Sequence, residues 1–575
     1  MARRTAAKRN EKKDIPIQKG GKVERSGDLD DRDRKRRLLI LAGAAALAVS
    51  LAIYLLRLDG VAGLIVDDAW YVLLAKALAT GQGYTLVNSP TPGITPFYPP
   101  GFPALLSIFY RMSPDFPDNV WLLKSVSIAA MIGVGVLSFR YFDHLRALPP
   151  YVALALAFAT TIYPPLVFFA TSTVMSECVF TVAQLAAIVC IESSVRRDAS
   201  GRLTSSAWRD VAIGGALAAF AFLTRPAGVA LLPGAVIYLF KEKLPKQAFA
   251  FALIVALLAG PWVLYSRSHA PTSEQRAEQG GNIVLPYTTQ FWQRMAGRSL
   301  SGTITSGELP ERVWNNLEEI GKADFGALVL YSSYRPLEPH ESLNLSGAAI
   351  RISLFFAFLA LAGYVATVRE RLTLAEIVTP LALTVSLLWG WEQYRLLLPL
   401  VPFLFFYLLM GVRWITHLCQ RLYAGDEARE SIVPLLAAAS ILVMSGLHGN
   451  YRYIQRKFDP APEQRTRWIR AFEEYEAFVR YVGENVPSDE LLVTQNPALL
   501  NLFTGHKTIA TSDPEWRWEV WKRLGVRYAA ITSVDRPVEL DANYGRYPTL
   551  HRSNGRLGLR LLDLGPPSSR PAYQD

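Results

Sequence analysis

The sequence predicts a polytopic α-helical membrane protein that ends in a small α/β soluble domain. Hydrophobic residues make up 51% of the 575 residues and charged residues only 19%, which is too apolar for an ordinary soluble enzyme. About eleven apolar runs approach the roughly 20 residues that a helix needs to cross hydrocarbon. The chain after residue 450 breaks this pattern, because short apolar strands there alternate with amphipathic helices.

A basic arm precedes the first span. Residues 1–37 hold 14 Lys or Arg against seven Asp or Glu, and they end in Arg34-Lys35-Arg36-Arg37. High charge with few apolar residues predicts disorder. A basic run that adjoins a span is more typical of a cytoplasmic anchor than of a nucleic-acid-binding segment. The first span lacks a small-residue cleavage pattern, so we expect it to be retained.

The predicted transmembrane domain covers residues 38–450. Its apolar runs occupy 38–56, 119–142, 150–170, 174–194, 210–224, 227–240, 248–266, 348–368, 373–390, 396–412 and 431–448. The fifth and sixth runs are short and meet at Thr224-Arg225-Pro226, so a pair of half-spans is an alternative there.

The distribution of Lys and Arg predicts the orientation of the chain. Alternate short loops are basic, as expected for cytoplasmic loops. Their basic residues are Arg196, Arg197, Arg202 and Arg209; Lys241, Lys243 and Lys246; Arg369 and Arg371; Arg413, Arg421 and Arg429. We therefore expect a bacterial plasma (inner) membrane protein with a cytoplasmic N-terminus. Loops 57–118 and 267–347 and the domain 451–575 would then be periplasmic.

The loop 57–118 contains an acidic pair, Asp67 and Asp68, beside a predicted amphipathic helix over residues 67–80. Carboxylates near hydrocarbon lose solvation, so their presence needs a structural or a functional reason. One interpretation is that they cap a helix lying in the membrane interface. The other is that they belong to an active site, and the two are compatible. The same loop contains the motif Tyr98-Pro99-Pro100.

Further ionisable residues lie at span ends on the same predicted face. They are Glu177, Arg225, Glu392 and Arg395. The structural alternatives are a helix-start carboxylate for Glu177 and arginines that extend towards the interface for the other two sites. Carboxylates that can activate a hydroxyl, together with guanidiniums that can hold a phosphate, favour transfer from a phosphate-linked donor.

The order of these motifs resembles the GT-C superfamily of integral membrane glycosyltransferases. The resemblance covers about residues 38–450 and is strongest to the protein O-mannosyltransferases and the lipid A aminoarabinose transferase. It rests on the acidic pair after the first span, the Pro-Pro pair before the second, and two later motifs. These are Thr224-Arg225-Pro226-Ala227-Gly228 and Gln393-Tyr394-Arg395 with the apolar residues that follow.

This resemblance implies an inverting transferase that moves a sugar from a polyprenyl-phosphate carrier to a hydroxyl on a lipid, glycan or protein. It implies that Asp67 is the general base and that Asp68 orients it or binds the donor. The other implied roles are donor-phosphate binding by Arg225, Arg395 and Lys76, a second acidic site at Glu177 and Glu392, and first-loop substrate contacts from Tyr71, Tyr98, Pro99 and Pro100. Aminoarabinose relatives carry a Lys before the Pro-Pro pair, where this sequence has Phe97-Tyr98, so Lys76 is the candidate to replace it.

We expect no obligatory cofactor. Some relatives bind a divalent metal through Glu and His, but the predicted outer histidines have no ligand spacing, and a metal stays an alternative only. These histidines are His269, His340, His448, His506 and His551. The three cysteines, Cys178, Cys190 and Cys419, form no zinc-type cluster. The expected partners are the lipid-linked donor, the hydroxyl acceptor and membrane lipids, with no nucleic acid.

Two other classes of function remain alternatives. A lipid or glycan transporter or flippase would show internal repeats and charges near the bilayer midplane, whereas we find no clear repeat and expect the charges to gather at one surface. A non-catalytic envelope-assembly protein would leave the carboxylates at the span ends without a reason. Within the superfamily, a branch that uses an arabinosyl or galacturonosyl carrier is a third alternative.

The domain 451–575 carries no nucleophile elbow, P-loop or dinucleotide fingerprint, so we expect it to support the enzyme or handle the acceptor, packed over the outer cavity. Its predicted strands are 491–494, 507–510, 528–531 and 558–562, and its predicted helices are one around Trp468 to Val482, 497–504 and 514–524.

Overall fold

A computed structural model gives the fold of the protein. It describes residues 24–91, 98–197, 201–272, 274–275, 287–295, 302–335, 344–390, 393–424, 431–510, 518–533, 538 and 545–565. The chain forms two compact units, Met1–Ala48 and Val49–Asp575. The first unit contains the N-terminal part of the first helix, and every contact reported below lies within the second unit.

Long apolar helices form most of the molecule. In chain order they are α1 (Glu24–Arg57), α4 (Val120–Arg140), α5 (Pro150–Thr161), α6 (Pro164–Thr171), α7 (Glu177–Ser194), α8 (Ala207–Thr224), α9 (Leu231–Lys241), α10 (Pro245–Ser268), α15 (Gly347–Glu370), α16 (Leu374–Leu388), α18 (Val401–Ala424) and α19 (Val433–Lys457). Among the described residues, eight helices are long and apolar enough to cross a membrane, and a ninth span results if α5 and α6, bent by 49°, are counted together. Two shorter apolar helices, Pro226–Lys241 and Leu374–Leu388, bring the apolar segments to the predicted eleven. The prediction of a polytopic helical membrane protein is confirmed.

The helices on the outside of this bundle present large apolar side chains to their surroundings. On α10, for example, Phe249, Leu253, Leu257 and Leu264 are all exposed. Exposed leucines in rows along long apolar helices are expected where lipid rather than water surrounds the protein.

The first helix begins earlier than its apolar run. It starts at Glu24, so residues 24–37 of the arm predicted to be disordered are helical, and residues 1–23 lie outside the described part of the chain. Arg34, Lys35, Arg36 and Arg37 are good helix formers, and a helix that is already nucleated by an apolar span extends through them at little cost.

The first loop, residues 57–118, contains two helices, α2 (Asp67–Ala79) and α3 (Gly101–Met112). The predicted helix at 67–80 exists, but α2 is buried on nearly every side, including its Trp70, Leu73, Leu74 and Ala77. It packs against α3 and against α21 of the C-terminal region, which is described below. The helix that carries Asp67 is therefore part of the protein core.

The second large loop, 267–347, is partly helical where it is described. It contains α11 (Tyr287–Phe291), α12 (Leu309–Glu319), α13 (Phe325–Val329) and α14 (Tyr331–Tyr334), and α17 (Gln393–Leu397) follows later in the chain between α16 and α18. The Arg312 guanidinium on α12 donates to the backbone carbonyls of Phe291 (2.6 Å) and Leu388 (3.3 Å), and also to that of Gln293. This buried arginine ties the loop to the end of α16.

The C-terminal region is a small α/β layer, as predicted. Its helices are α20 (Arg467–Asn485), α21 (Pro497–Thr504) and α22 (Trp518–Arg523), and its strands are β1 (Leu492–Thr494), β2 (Thr508–Ala510), β3 (Tyr528–Ile531), β4 (Thr549–Arg552) and β5 (Arg560–Asp563). The strand order is β2-β1-β3-β5-β4. Strand β1 is parallel to β2 and β3, while β5 is antiparallel to β3 and β4. The edge strand β4 was not predicted, because its side chains are mostly exposed and polar.

The sheet region is tied to the first loop by hydrogen bonds. The Asn496 side chain donates to the Gly63 carbonyl (2.7 Å), and the Thr508 N–H donates to the Asn88 carbonyl (2.8 Å). The leucine side chain of Leu499 on α21 fills the space at Gly63, whose φ of +86° would also strain any other residue. The loop that carries the acidic pair is therefore shaped by residues more than 400 positions later in the chain.

Candidate active site

A strained turn presents the first acidic residue. Val66 has φ 74° and ψ −57°, and the Asp67 N–H donates to the Ile65 carbonyl across it (2.9 Å). This is a γ-turn of the rare positive-φ form, which is unfavourable for a β-branched residue. Backbone strain of this kind concentrates at functional sites. The turn starts α2 and puts Asp67 and Tyr71 one helical turn apart on the same face.

Four of the predicted residues meet in one ion cluster, which we call the Asp67 cluster: Asp67, Glu177, Arg225 and Arg395. The Arg395 guanidinium bridges the two carboxylates, with Nε 2.5 Å from Glu177 Oε1 and an Nη2 contact of 3.1 Å to Asp67 Oδ2. Arg225 Nη1 lies 2.7 Å from the same Glu177 oxygen. These four side chains come from α2, α7, α17 and the segment after α8.

Burial differs sharply within the Asp67 cluster. The Glu177 side chain is fully buried, and its Oε2 has no hydrogen-bond partner among the described residues. The arginine side chains are 12% and 17% exposed, whereas the Asp67 carboxylate is 34% exposed. Asp67 is thus the member of the cluster that an incoming molecule can reach. Glu177 pairs with both guanidiniums on their buried side.

Two tyrosines complete the wall around Asp67. The Tyr98 hydroxyl donates to Asp67 Oδ1 (2.9 Å), and the Tyr71 and Tyr98 rings pack edge to face. Ser176 Oγ donates to the Tyr71 hydroxyl and accepts from Arg225 Nη1, both at 3.3 Å. Burial raises the pKa of both phenols, that of Tyr71 to about 12, so both remain protonated near neutral pH.

The Pro-Pro pair lies where the first loop packs against the segment that carries Arg225. The Tyr84 hydroxyl donates to the carbonyls of Tyr98 (2.9 Å) and Pro99 (3.2 Å). Pro100 precedes the first residue of α3, Gly101, where a Cβ would lie 2.8 Å from the Leu223 backbone. Only glycine allows this approach, which places Pro99 and Pro100 beside the segment that carries Arg225.

Asp68 does not join the Asp67 cluster. Its buried carboxylate accepts hydrogen bonds from the N–H groups of Gly63 (2.7 Å) and Ala69 (3.1 Å). Burial raises the pKa of Asp68 to about 6. In this structure Asp68 closes the turn that leads into α2, and it thereby fixes the backbone next to Asp67.

Lys76 stands apart from the Asp67 cluster. Lys76 lies nine residues further along α2 than Asp67, about 13 Å along the helix axis, and burial lowers the pKa of its amine. Glu392 lies outside the described residues.

Sequence reasoning missed a buried polar network beside the first loop. Lys124 Nζ lies 2.9 Å from Asp59 Oδ1, with both side chains buried, and the Ser172 hydroxyl donates to Asp59 Oδ2 (2.7 Å). The indole of Trp468 on α20 donates to the Ser172 carbonyl (3.2 Å). This network links the first loop, the segment before Glu177 and the C-terminal region, and its members carry no local sequence signal.

A second ion cluster, which we call the Glu376 cluster, joins Arg146, Glu192 and Glu376. Arg146 pairs with Glu376, and the Tyr407 hydroxyl donates to the same Glu376 oxygen (3.1 Å). Glu192 Oε1 accepts from the Thr373 hydroxyl (2.8 Å) and the Ala375 N–H (3.2 Å). The expectation that charges gather at one surface is therefore wrong, because Lys124 and the Glu376 cluster are buried in or beside other spans. Pairing within the protein explains how these charges are tolerated there.

Among the described residues, no group of three or more His, Cys, Asp or Glu side chains could hold a metal ion. In the Asp67 cluster it is the Arg395 guanidinium that bridges the two carboxylates.

The fold and this site define a polytopic membrane protein with an ion cluster where its first loop meets the ends of several apolar helices. No protein-family model and no curated protein matches the sequence. The structure is similar to the crystal structure of ArnT from Cupriavidus metallidurans bound to undecaprenyl phosphate, with a TM-score of 0.55, 12% identity, and coverage of 92% of this chain and 99% of that one. It is also similar to the oligosaccharyltransferase of Archaeoglobus fulgidus in the apo form, with a TM-score of 0.50, 13% identity, and coverage of 86% and 69%.

Both of these proteins belong to the GT-C superfamily. The chain therefore has the GT-C fold, and the predicted resemblance is confirmed at the level of the fold.

Proposed function

We propose that this protein is an inverting glycosyltransferase that moves a sugar from a polyprenyl-phosphate carrier to a hydroxyl acceptor. The observation that carries the proposal is the Asp67 cluster, in which a partly exposed carboxylate stands beside two guanidiniums held by a buried glutamate. A base for a hydroxyl and two cations for a phosphate thus lie within one set of contacts. The similarity in fold to a protein crystallised with undecaprenyl phosphate supports a lipid-linked donor.

The proposed reaction is a single displacement. The acceptor oxygen attacks the anomeric carbon of the donor sugar, and its proton passes to Asp67. The bond between the anomeric carbon and the phosphate oxygen breaks, and the electron pair leaves with the polyprenyl phosphate. One displacement at carbon inverts the anomeric configuration, and no co-reactant is required.

The two arginines have donors to spare for the leaving phosphate. A guanidinium carries five N–H donors, of which Arg225 uses Nη1 and Arg395 uses Nε and Nη2 within the Asp67 cluster. The remaining N–H groups suit a phosphate that gains charge as the bond breaks. Because Glu177 fixes both side chains, these donors are oriented before the donor lipid arrives.

Tyr98 and Tyr71 orient the base and line the approach to it, with Pro99 and Pro100 as further substrate contacts. Asp68 acts as a positioning residue through the α2 turn. Donor-phosphate binding by Lys76 and a second acidic role for Glu392 remain predictions. We place the site on the periplasmic face of a plasma membrane, with a lipid, glycan or protein hydroxyl as the acceptor class.

The test is sugar transfer by the purified full-length chain from a panel of radiolabelled polyprenyl-phosphate sugars. We expect transfer from one donor class and loss of roughly 10²–10⁴-fold in Asp67→Asn, as for removal of a general base. Asp563→Asn is the matched control, because Asp563 is also a partly exposed aspartate beside an arginine, Arg527, but lies in the sheet. Donor binding by the Asp67→Asn protein should persist.

Transfer that survives in Asp67→Asn would remove Asp67 as the base and keep the reaction. Absence of transfer from every donor, with representative lipid, glycan and peptide acceptors supplied, would contradict the proposed function. Equal loss in Asp563→Asn would show that the assay reports folding rather than catalysis.

A further inference from the structure

A cationic cleft lies where the last long helix meets the C-terminal region. It has a volume of about 430 Å³ and begins at the last turn of α19 and the start of α20. Its lining residues are Arg456, Asp459, Glu463, Gln464, Arg465, Arg467, Arg470 and Arg556. Five arginines thus face two carboxylates, in a volume within the roughly 300–1,000 Å³ range of small-ligand sites.

The five arginines outnumber the two carboxylates that line the cleft. Among the described residues none of the five forms an ion pair, although other surface arginines, such as Arg480 with Glu476, do. The Asp459 carboxylate instead accepts from the Ala461 N–H (2.9 Å). Arg465 Nε donates to the Asp459 backbone carbonyl (3.1 Å), and the Nε of Arg470 is buried without an acceptor among the described residues. A buried guanidinium N–H without an acceptor is costly, and an anionic ligand would supply one.

The cleft lies at the end of two apolar helices. The candidate span Val433–Lys457 ends at its edge, and Lys457 Nζ donates to the carbonyls of Leu56 (2.9 Å) and Leu58 (2.6 Å) at the end of α1. A span ends where hydrocarbon gives way to the headgroup layer. The apolar part of α19 ends near residue 448, and the helix continues about 12 Å further to Arg456, so the cleft lies outside the hydrocarbon, near the membrane surface.

The cleft is separate from the Asp67 cluster. Trp468, next to Arg467, donates to the Ser172 carbonyl (3.2 Å), and the chain reaches Glu177 of the Asp67 cluster only five residues later. One buried segment thus contacts Trp468 at Ser172 and carries a member of the Asp67 cluster at Glu177, and none of the arginines that line the cleft belongs to the Asp67 cluster.

We propose that this cleft binds a phosphate-bearing group, either the headgroup of an anionic lipid or a soluble phosphate. Arginines bind phosphate oxygens through paired N–H donors, and five arginines that line one cavity near the membrane surface, with no ion pair among the described residues, match that chemistry. This site is additional to the phosphate site proposed at Arg225 and Arg395, and it does not depend on the proposed function.

The experiment measures binding to the purified full-length chain in neutral detergent. One arm uses dihexanoyl phosphatidic acid below its micelle concentration, with dihexanoyl phosphatidylcholine as the neutral-headgroup comparison. The other arm uses inorganic phosphate. We expect Arg467→Gln and Arg556→Gln each to weaken phosphate-group binding roughly tenfold, since a hydrogen bond to a charged group contributes about 1.5–3 kcal/mol.

Arg480→Gln is the matched control, because it removes the same charge from the same helix outside the cleft, and it should change affinity less than about twofold. Arg556 is exposed on a turn, so its variant keeps the test valid even if Arg467→Gln folds poorly. Because the site proposed at the Asp67 cluster would also bind a phosphate group, the cleft variants and their control are compared in an Arg225→Gln background, so that the binding measured is that of the cleft. Phosphatidic acid that binds more tightly than inorganic phosphate would identify a lipid as the source, and equal affinities would identify a soluble phosphate.

Failure of both probes to bind the wild-type chain would overturn the proposal. Loss of all binding in Arg225→Gln alone, or binding that persists unchanged when either cleft variant is added to Arg225→Gln, would also overturn it. None of these outcomes depends on sugar transfer, so they are distinguishable from failure of the proposed function.

Discussion

The Asp67 cluster and the Glu376 cluster contain the same kinds of groups in the same kind of place. Each contains two carboxylates from different helices, an arginine paired with at least one of them, and tyrosine hydroxyls nearby. Arg395 bridges both carboxylates of the first cluster, whereas Arg146 pairs with Glu376 and the Thr373 hydroxyl connects Glu376 to Glu192. They differ in whether every buried carboxylate oxygen has a hydrogen-bond partner and in how exposed the carboxylates are. Glu376 and Glu192 keep no buried side-chain oxygen without a partner, whereas Glu177 does and Asp67 is one-third exposed.

This difference teaches that buried charge by itself does not indicate a site of chemistry. In the Glu376 cluster the charged groups are paired within the protein, and this pairing holds helices together. The Asp67 cluster has a partly exposed carboxylate and a buried oxygen without a partner among the described residues, and it lies beside the strained backbone of Val66. Variants of corresponding residues in the two clusters can test the distinction.

The largest contrast should come from replacing one arginine in each cluster, Arg395 and Arg146, by lysine. Arg395→Lys should lower kcat for transfer by roughly 10²–10³, because an ammonium cannot bridge Glu177 and Asp67 and still present an N–H to the phosphate. Arg146→Lys, the same change in the Glu376 cluster, should leave kcat per folded molecule within about twofold. A similar loss of kcat in both variants would end the distinction between the clusters.

For stability we expect the opposite, because a change in the Glu376 cluster should lower the free energy of unfolding without affecting turnover. Glu376→Gln should lower the free energy of unfolding by about 3 kcal/mol, because it leaves Arg146 buried without its carboxylate. Thermal unfolding in detergent measures this, with Glu318→Gln as a control, since the exposed Glu318–Lys322 pair contributes well under about 1 kcal/mol. Turnover by the folded fraction of Glu376→Gln should be normal. A wild-type melting temperature in Glu376→Gln would show that the cluster has no structural role.

Asp68 should produce a smaller, pH-dependent effect. Its pKa in the folded protein is about 6, above the value near 3.8 of an ordinary aspartate, so the folded chain keeps a proton that the unfolded chain has released. Stability should therefore fall by up to about 3 kcal/mol as pH rises from about 4 to about 6, and then level off.

Asp68→Asn removes this titration, so its melting temperature should fall less than that of the wild type over the same pH interval. Parallel curves for the two proteins would exclude Asp68 as the titrating group.

The smallest effect should come from Tyr98→Phe. It removes one hydrogen bond to Asp67 and keeps the ring packing against Tyr71, so transfer should fall by roughly two- to tenfold. Tyr407→Phe, which removes the corresponding hydroxyl from Glu376, should not change transfer. A loss as large as that of Asp67→Asn would instead assign Tyr98 a direct part in proton transfer.

What the sequence could predict depended on whether the signal was local. The span at Glu177–Ser194, the helix Pro497–Thr504 and the strand Tyr528–Ile531 match their predictions closely, because apolar runs and turn residues mark them. The edge strand β4 was missed, since its stability comes from pairing with β5 rather than from an apolar pattern.

The candidate site was assembled from the order of motifs, and the structure brings Asp67, Glu177, Arg225 and Arg395 together as that order suggested. Their catalytic roles remain predictions. The Glu376 cluster was invisible to sequence reasoning because Glu192 and Thr373 lie 181 residues apart and no motif joins them. The role of Asp68 in closing a turn likewise depends on Gly63, whose conformation no local rule indicates.

The hydrogen bonds from Asn496 and Thr508 to the first loop have a consequence for how the protein is made. Chains are synthesised from the N-terminus at roughly 5–20 residues per second, so residues near 500 emerge tens of seconds after the loop that they shape. During that interval the apolar helices are already present, but the turn before Asp67 lacks the contacts that fix it. A nascent or truncated chain would therefore sit in the membrane with every cluster residue synthesised and no assembled site, and loss of activity on deleting the tail would reflect incomplete assembly rather than missing catalytic groups.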